Sequence, residues 1–204
     1  MRKGKKRGGG IMGRSDIPYA QRMAMKRQHD IVVNRDHAAK IAMYCLSVAM
    51  HEKEGIGYKR LVRYSHYFQE VVAEFYEDPE LGMAHAKHRM AQMGMPISGE
   101  FYTHKVEGLS KREQEISDHR LQAVQVALIC GAIAMNDMFG FGQERQFRIS
   151  ERADELSGRY NREGEKFLLD EMEKIGFVII DGNAMAFTDD DGNAVTYKKW
   201  REQE

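Results

Sequence analysis

The chain of 204 residues has few features that would cross-link it covalently or place it in a membrane. It contains 3 prolines and 2 cysteines, and Cys45 and Cys130 both lie inside apolar stretches. Two such thiols predict core residues in a reducing compartment rather than a disulfide framework. The longest apolar run, residues 123–135, is shorter than the ~20 residues of a membrane helix. We therefore predict a cytoplasmic globular protein without membrane contact.

The chain also lacks net charge, because 31 basic residues balance 31 acidic ones. The charges are unevenly spread, with eleven Lys or Arg and three Asp in residues 1–40. Such a basic arm indicates nucleic-acid binding. Residues 1–11 hold five of these positive charges, and we interpret them as either a translated leader before Met12 or a disordered tail. The first interpretation removes most of the charge that favours DNA binding.

Two stretches 85 residues apart resemble each other: AMHEKEGIGYKRLVRYSHYFQE at residues 49–70 and AMNDMFGFGQERQFRISERADE at residues 134–155. Across residues 42–70 and 127–155 the two copies share ten identities in twenty-nine positions without a gap, where composition predicts roughly two. We therefore predict a mainly α fold of two helical repeats, related by a pseudo-two-fold over a shared core. Repeat 1 and its connector cover residues 40–108, and repeat 2 covers residues 109–180.

Each repeat reads as an apolar helix, a Gly-x-Gly joint, a second helix and a shorter third helix. The joints are Gly55 and Gly57 in one copy and Gly140 and Gly142 in the other, and each is predicted to close an αα-hairpin. A basic helix over residues 12–39 precedes the repeats. Residues 181–204, with two Asp-Gly-Asn turns, predict a small β-meander and tail.

Helix starts are marked by polar residues. Ser110 and Glu113 form a capping-box pattern at the start of repeat 2. Asp78, followed by Pro79, is predicted to cap the third helix of repeat 1, and Asn161 stands in the equivalent position of repeat 2.

Two arginine pairs recur in the repeats and are the first candidates for partner binding. They are Arg60 with Arg63 and Arg145 with Arg148, each at helical i, i+3 spacing. One interpretation is a pair of basic spots for an acidic partner. The other is that the arginines pair with carboxylates that recur beside them, namely Glu52, Asp137, Glu70 and Glu155.

Met90 and Met93 belong to a methionine-rich segment and are the second candidates. Methionine side chains suit an adaptable binding surface, although methionine at helical spacing is also typical of a core.

The sequence does not predict a metal, a cofactor or a catalytic residue. His85 with His88, and Glu115 with His119, lack a third ligand at regular spacing. The Gly-x-Gly joints follow helices rather than strands and lack the third glycine of a dinucleotide fingerprint. Residues 189–193 (DDDGN) lack the final glutamate of a calcium loop, and we interpret them as a hairpin turn.

The segment MNDMFGFGQER, residues 135–145, resembles small helical accessory proteins of phages and prophages of Gram-positive bacteria. Their signature is Asn-x-x-Phe-Gly-Phe-Gly-x-x-Arg, which here runs from Asn136 to Arg145. The resemblance implies a bacterial host cytosol and compact proteins that block a host machine, anti-CRISPR-type inhibitors among them.

Three functions follow as hypotheses. The first is a non-catalytic interaction protein that binds a host protein or a protein–nucleic-acid complex. The second is a nucleic-acid-binding protein of phage DNA metabolism that acts through the N-terminal basic region. The third is an unrecognised enzyme. Self-association is left open.

Overall fold

A computed structural model describes residues 18–97, 101, 103, 105–188 and 194–195 of the chain. The described residues form six helices followed by four short strands. The mainly helical class with C-terminal antiparallel strands is therefore confirmed. The elements are α1 (Tyr19–Glu54), α2 (Tyr58–Glu77), α3 (Pro79–Gln92), α4 (Lys111–Phe139), α5 (Gln143–Glu163), α6 (Glu165–Ile175), β1 (Val178–Ile180), β2 (Asn183–Met185), β3 (Phe187–Thr188) and β4 (Ala194–Val195). Residues 1–17, which include the predicted leader or tail and the first six residues of the predicted basic helix, lie outside the described residues.

Helix α1 is a single helix of 36 residues. The described part of the basic helix predicted over residues 12–39 is therefore continuous with the first helix of repeat 1. No glycine or proline interrupts the sequence between Tyr19 and Gly55, so nothing local breaks the helix near residue 40. The helix ends where Gly55 takes a left-handed conformation with φ 65°.

Local capping works as the sequence predicts at two of three helix starts. At α4, Glu113 N donates to Ser110 Oγ at 3.3 Å and Ser110 N donates to Glu113 Oε2 at 2.8 Å. At α3, the Asp78 carboxylate accepts from the amides of Glu80 and Leu81, each at 3.1 Å. The prediction for Asn161 is wrong, because this residue lies inside α5. Repeat 2 is three residues shorter here, and α5 continues to Glu163 and ends at Gly164.

The two glycine joints have the same local geometry. Gly55 has φ 65° and ψ 26°, and Gly140 has φ 64° and ψ 30°. A left-handed residue suits glycine because it has no Cβ. At the equivalent position of each joint, His51 Nδ1 lies 3.0 Å from the Ile56 carbonyl oxygen and Asn136 Nδ2 donates to the Phe141 carbonyl oxygen at 3.2 Å.

The helices on either side of each joint do not pack along each other, so the predicted αα-hairpins are open. Helix α1 makes its most extensive contacts with α4 and α5, while α2 packs against α4 and α3. The second helix of each repeat therefore lies on the first helix of the other repeat. Buried residues from both repeats form one hydrophobic core.

Equivalent residues form equivalent contacts across the two repeats. Arg152 pairs with Glu52, and at the positions 85 residues away Tyr67 donates to Asp137 at 2.8 Å. Leu46 and Gly131 are equivalent to each other and are also neighbours. Self-contact of this kind is what a two-fold axis produces. These contacts favour the pseudo-two-fold, which stays a prediction.

The strands form two separate antiparallel pairs rather than one meander. β1 pairs with β2, and β3 pairs with β4, so strand structure begins at Val178, ahead of residue 181. Asp181 and Gly182 connect β1 to β2 with φ of 48° and 73°, which is the type I′ pattern of a two-residue turn. The second predicted turn, at residues 189–193, lies outside the described residues.

Among the described residues, α4 is the one helix that is long and apolar enough to cross a membrane by length and composition. Half of its most apolar stretch is buried inside the fold. Its hydrophobic surface is therefore used in packing against the neighbouring helices.

Exchanging Leu46 and Gly131 tests the self-contact. Leu46→Gly removes buried volume and should cost ~2–5 kcal/mol. Gly131→Leu should cost ~1–3 kcal/mol, because a Cβ on Gly131 would lie 2.8 Å from Leu46 Cδ1. The double variant moves the side chain to the other helix, and its loss of unfolding free energy in urea should be smaller than the sum of the single losses by about 1 kcal/mol or more. Additive losses of unfolding free energy would contradict the contact between positions 46 and 131.

Candidate functional site

An open groove of about 600 Å³ lies between α1, α4 and α5. Four of the five α1 residues at its base are buried, whereas many residues on the two walls are partly exposed. α1 is therefore the floor, and α4 and α5 are the walls. The floor consists of His37, Ala38, Ile41, Ala42 and Cys45.

A second cavity of about 530 Å³ continues the groove toward the Gly140 joint. The two cavities share Leu128, Phe147 and Ser150. One end of the combined groove lies between Ser117 and Asn161, and the other lies between Met135 and Gln143. α4 and α5 therefore run antiparallel along the groove without packing on each other.

Small side chains on α5 make the groove. The α5 wall carries Ala153 and Ser157, whereas the equivalent positions of α2, 85 residues earlier, carry Phe68 and Val72. Phe68 is buried and lies 3.9 Å from the place where a Cβ would stand on Gly131 of α4. Repeat 1 thus has larger side chains than repeat 2 at two of the positions that line the groove.

Phe147 is the most exposed apolar residue of the groove, with 62% of its surface accessible. Its equivalent in α2, Val62, is 1% exposed, and β4 packs against α2. Tyr58 holds β4 there by donating its hydroxyl to the Val195 carbonyl oxygen at 3.3 Å. An exposed aromatic side chain next to an apolar groove is typical of a binding surface.

The groove rim carries charges of both signs. Glu151 and Asp154 stand on α5, and Arg120 stands on α4, all three exposed. Within the described part of the chain, none of the three takes part in an ion pair. One wall therefore offers negative charge and the other offers a positive charge to a molecule in the groove.

The polar groups of the groove floor are not arranged for nucleophilic catalysis. Burial raises the pKa of the Cys45 thiol to about 12, so the reactive thiolate is scarce at neutral pH. His37 Nε2 lies 3.0 Å from the Tyr160 hydroxyl, and this contact joins α1 to α5 at the end of the groove.

The arginines of repeat 2 are already paired within the chain. Arg148 donates to Glu54 at 2.8 Å and to Glu144 at 3.1 Å, and Arg145 lies 3.7 Å from Glu54. The Glu54 side chain is only 10% exposed. The pairing partner differs from the four carboxylates named from the sequence, but the contacts favour the structural interpretation.

The arginines of repeat 1 are less constrained. The Arg60 guanidinium lies 5.1 Å from the centre of the Phe139 ring. Phe139 is the equivalent of Glu54, so Arg60 and Arg145 meet the same position of the opposite joint. Both Arg60 and Arg63 are exposed, and neither forms an ion pair with another described residue.

The methionine candidates lie at different depths. Met90 is buried in the core, which favours the core interpretation for this residue. Met93 is half-buried and receives a weak contact from Gln146 Nε2 at 3.9 Å. Met90 lines the second cavity, and in this way the methionine-rich segment contributes to the groove.

No three His, Cys, Asp or Glu side chains come together as a potential metal site in the described ranges. His85 and His88 both lie on α3, and Glu115 and His119 both lie on α4. Glu115 pairs with Arg27 instead.

The groove residues themselves were not singled out from the sequence. A signal was present in the alignment of the repeats, where Phe68 and Val72 correspond to Ala153 and Ser157. A change from large to small side chains along one helix of a duplicated pair indicates lost internal packing. Recognising it as a groove requires the position of α4, which only the tertiary structure gives.

Charge reversal at Arg145 and Arg148 to glutamate should lower the melting temperature. It places two new carboxylates beside the largely buried Glu54, and unpaired buried charge is strongly destabilising. The matched variant, with glutamate at Arg60 and Arg63, should melt closer to wild type because it breaks no ion pair among the described residues. Thermal circular dichroism measures both, and an unchanged melting temperature for the first variant would support a free basic surface.

Replacing Arg152 with methionine should lower the unfolding free energy by about 1 kcal/mol at neutral pH. The hydrogen bond from Arg152 lowers the pKa of Glu52 below its usual 4.5. Stabilisation by a carboxylate of lowered pKa is complete above its unfolded pKa and is lost as the pH falls through its folded pKa. The stability difference from wild type should therefore shrink as the pH falls below 4.5. Urea unfolding at several pH values measures this difference. The control is Lys166→Met, which removes an exposed ion pair with Asp170. A pH-independent difference would mean that the Glu52 contact is not its source.

Comparison of the chain with protein-family models, with curated proteins and with solved structures gives no match.

Proposed function

We propose that the chain is a non-catalytic interaction protein of phage or prophage type, which binds a host protein or nucleoprotein assembly and modulates it. The observation that carries the proposal is the open groove between α4 and α5 with the exposed ring of Phe147 at its centre. The resemblance of residues 135–145 to phage accessory proteins supports the biological setting.

Packing energetics favour binding over an unused surface. Phe147 and Leu128 expose apolar area beside a groove whose floor is apolar, and each Å² removed from water contributes ~25 cal/mol. Interface hot spots are aromatic side chains next to a desolvated pocket. In repeat 1, by contrast, β4 packs against α2, and Val62, the residue equivalent to Phe147, is 1% exposed.

Nucleic-acid binding is the second candidate, and one observation favours it. The first eleven residues of α1, 19–29, are all exposed and include Arg22, Lys26 and Arg27. Among these, Arg27 is paired with Glu115. Binding to DNA alone that weakens steeply with salt would favour this candidate over the first.

Site-specific photo-crosslinking tests the first proposal. The photoreactive residue p-benzoylphenylalanine is placed at position 147 in the full chain, which is expressed in a Gram-positive bacterium and irradiated. We expect a covalent adduct with a host protein, identified by mass spectrometry and then confirmed with the purified protein.

The matched control carries the same residue at position 162. Arg162 is exposed on α5 but does not line the groove. Adducts that form equally at both positions, or at neither, would contradict the proposal that the groove binds the partner.

A further inference from the structure

We infer that the occupant of the α4–α5 groove is an amphipathic helix of the partner protein, with an aromatic side chain on its apolar face. This inference rests on the proposed function and specifies the partner's chemistry. It follows from the geometry of the groove, from the residues that fill the equivalent space in repeat 1, and from the charges on the rim.

The groove has the shape of a helical bundle that lacks one helix. α4 and α5 both pack on α1, and they run antiparallel with a gap between them. A fourth helix laid in that gap would contact α4 and α5 at its sides and α1 beneath. Helices pack with axes 8–10 Å apart, and helix-in-groove binding uses residues at i, i+3, i+4 and i+7.

The length of the first cavity suits a helix of about three to four turns. It runs along α4 from Ser117 to Leu128 and along α5 from Phe147 to Asn161, whereas Met90 and residues 94–97 also line the second cavity. At 1.5 Å per residue, the α4 wall is ~17 Å long and the α5 wall is ~21 Å long. A helix of roughly eleven to fourteen residues covers that distance.

Repeat 1 shows which side chains fill such a space. Phe68 and Val72 of α2 stand where α5 has Ala153 and Ser157. Farther along α2, Tyr76 lies 85 residues before Asn161 of α5, and the guanidinium of Arg35 on α1 lies 5.9 Å from the centre of its ring. The residues 85 positions after this pair, Arg120 and Asn161, both line the groove and include no aromatic ring. A partner helix that supplies an aromatic side chain between Arg120 and Asn161 would restore the same contact in repeat 2.

The rim charges set the orientation of the partner helix. Glu151 and Asp154 on the α5 wall favour Lys or Arg on the flank that faces them, and Arg120 on the α4 wall favours an acidic residue on the other flank. Complementary charges at a rim fix register and steer association.

Selection from a displayed library of random 20-residue peptides tests the inference. The full-length wild-type chain is the bait, and a filled variant, Ala153→Phe with Ser157→Val, is kept for the later comparison of binding. We expect enriched peptides to carry apolar residues at helical spacing with an aromatic member. Their circular dichroism should become more helical on binding, and they should bind the filled variant at least tenfold more weakly in fluorescence anisotropy.

A second variant keeps the binding test valid if the filled variant does not fold. Phe147→Asp alters an exposed side chain, so the fold should be retained, and it should weaken the same peptides at least tenfold. Arg162→Phe, which adds a ring outside the groove, should bind them as wild type does.

Several outcomes would overturn the inference. They are recovery of no peptide, enrichment of peptides with alternating apolar residues, peptides that bind wild type and the Phe147→Asp variant equally, and a wild-type chain that dimerises through Phe147. If crosslinking at position 147 still captures a host protein in any of these cases, the proposed function stands and only the helical nature of the partner is wrong.

Discussion

The packing of α1 against α4 is the contact on which the rest of the fold depends. The two helices meet through small residues, and Ala49, Cys130 and Ala134 are fully enclosed. Gly131 leaves room for Leu46 and for the Tyr64 hydroxyl, which donates to the Gly131 carbonyl oxygen at 3.4 Å. With the two first helices at the centre, each second helix covers the opposite first helix. Neither repeat therefore contains its own core.

This crossed arrangement explains how one repeat can change while the fold is kept. Ile149 and Leu156 of α5 are fully buried, so the face of α5 that packs on the core is intact. Ala153 belongs to the same buried face, and Ala153 and Ser157 both have smaller side chains than their counterparts in α2. The groove is thus a local loss of side-chain volume on a helix that the core still holds in place.

The repeated arginines of repeat 2 stabilise the fold through contacts within the chain. Arg145 and Arg148 both contact Glu54 of the opposite joint, and Arg60 meets the equivalent position, where Phe139 stands. A guanidinium binds a carboxylate or lies over an aromatic ring with comparable geometry. The position of the contact is therefore kept while the partner of the guanidinium changes from a carboxylate to an aromatic ring. Repetition of a residue in the two copies does not by itself indicate a partner-binding site.

Local chemistry determined much of the fold and could be predicted from the sequence. Gly55 and Gly140 end helices because only glycine takes a left-handed conformation without strain, and Ser110 and Asp78 cap helices through amides within three residues. The tertiary structure decided the rest, because the partners are far apart in the chain. Arg152 contacts Glu52 at a separation of 100 residues, and Met90 is buried in a core that residues of both repeats form. The groove depends on the spacing of α1, α4 and α5, which is set by packing of the whole core and by no single segment.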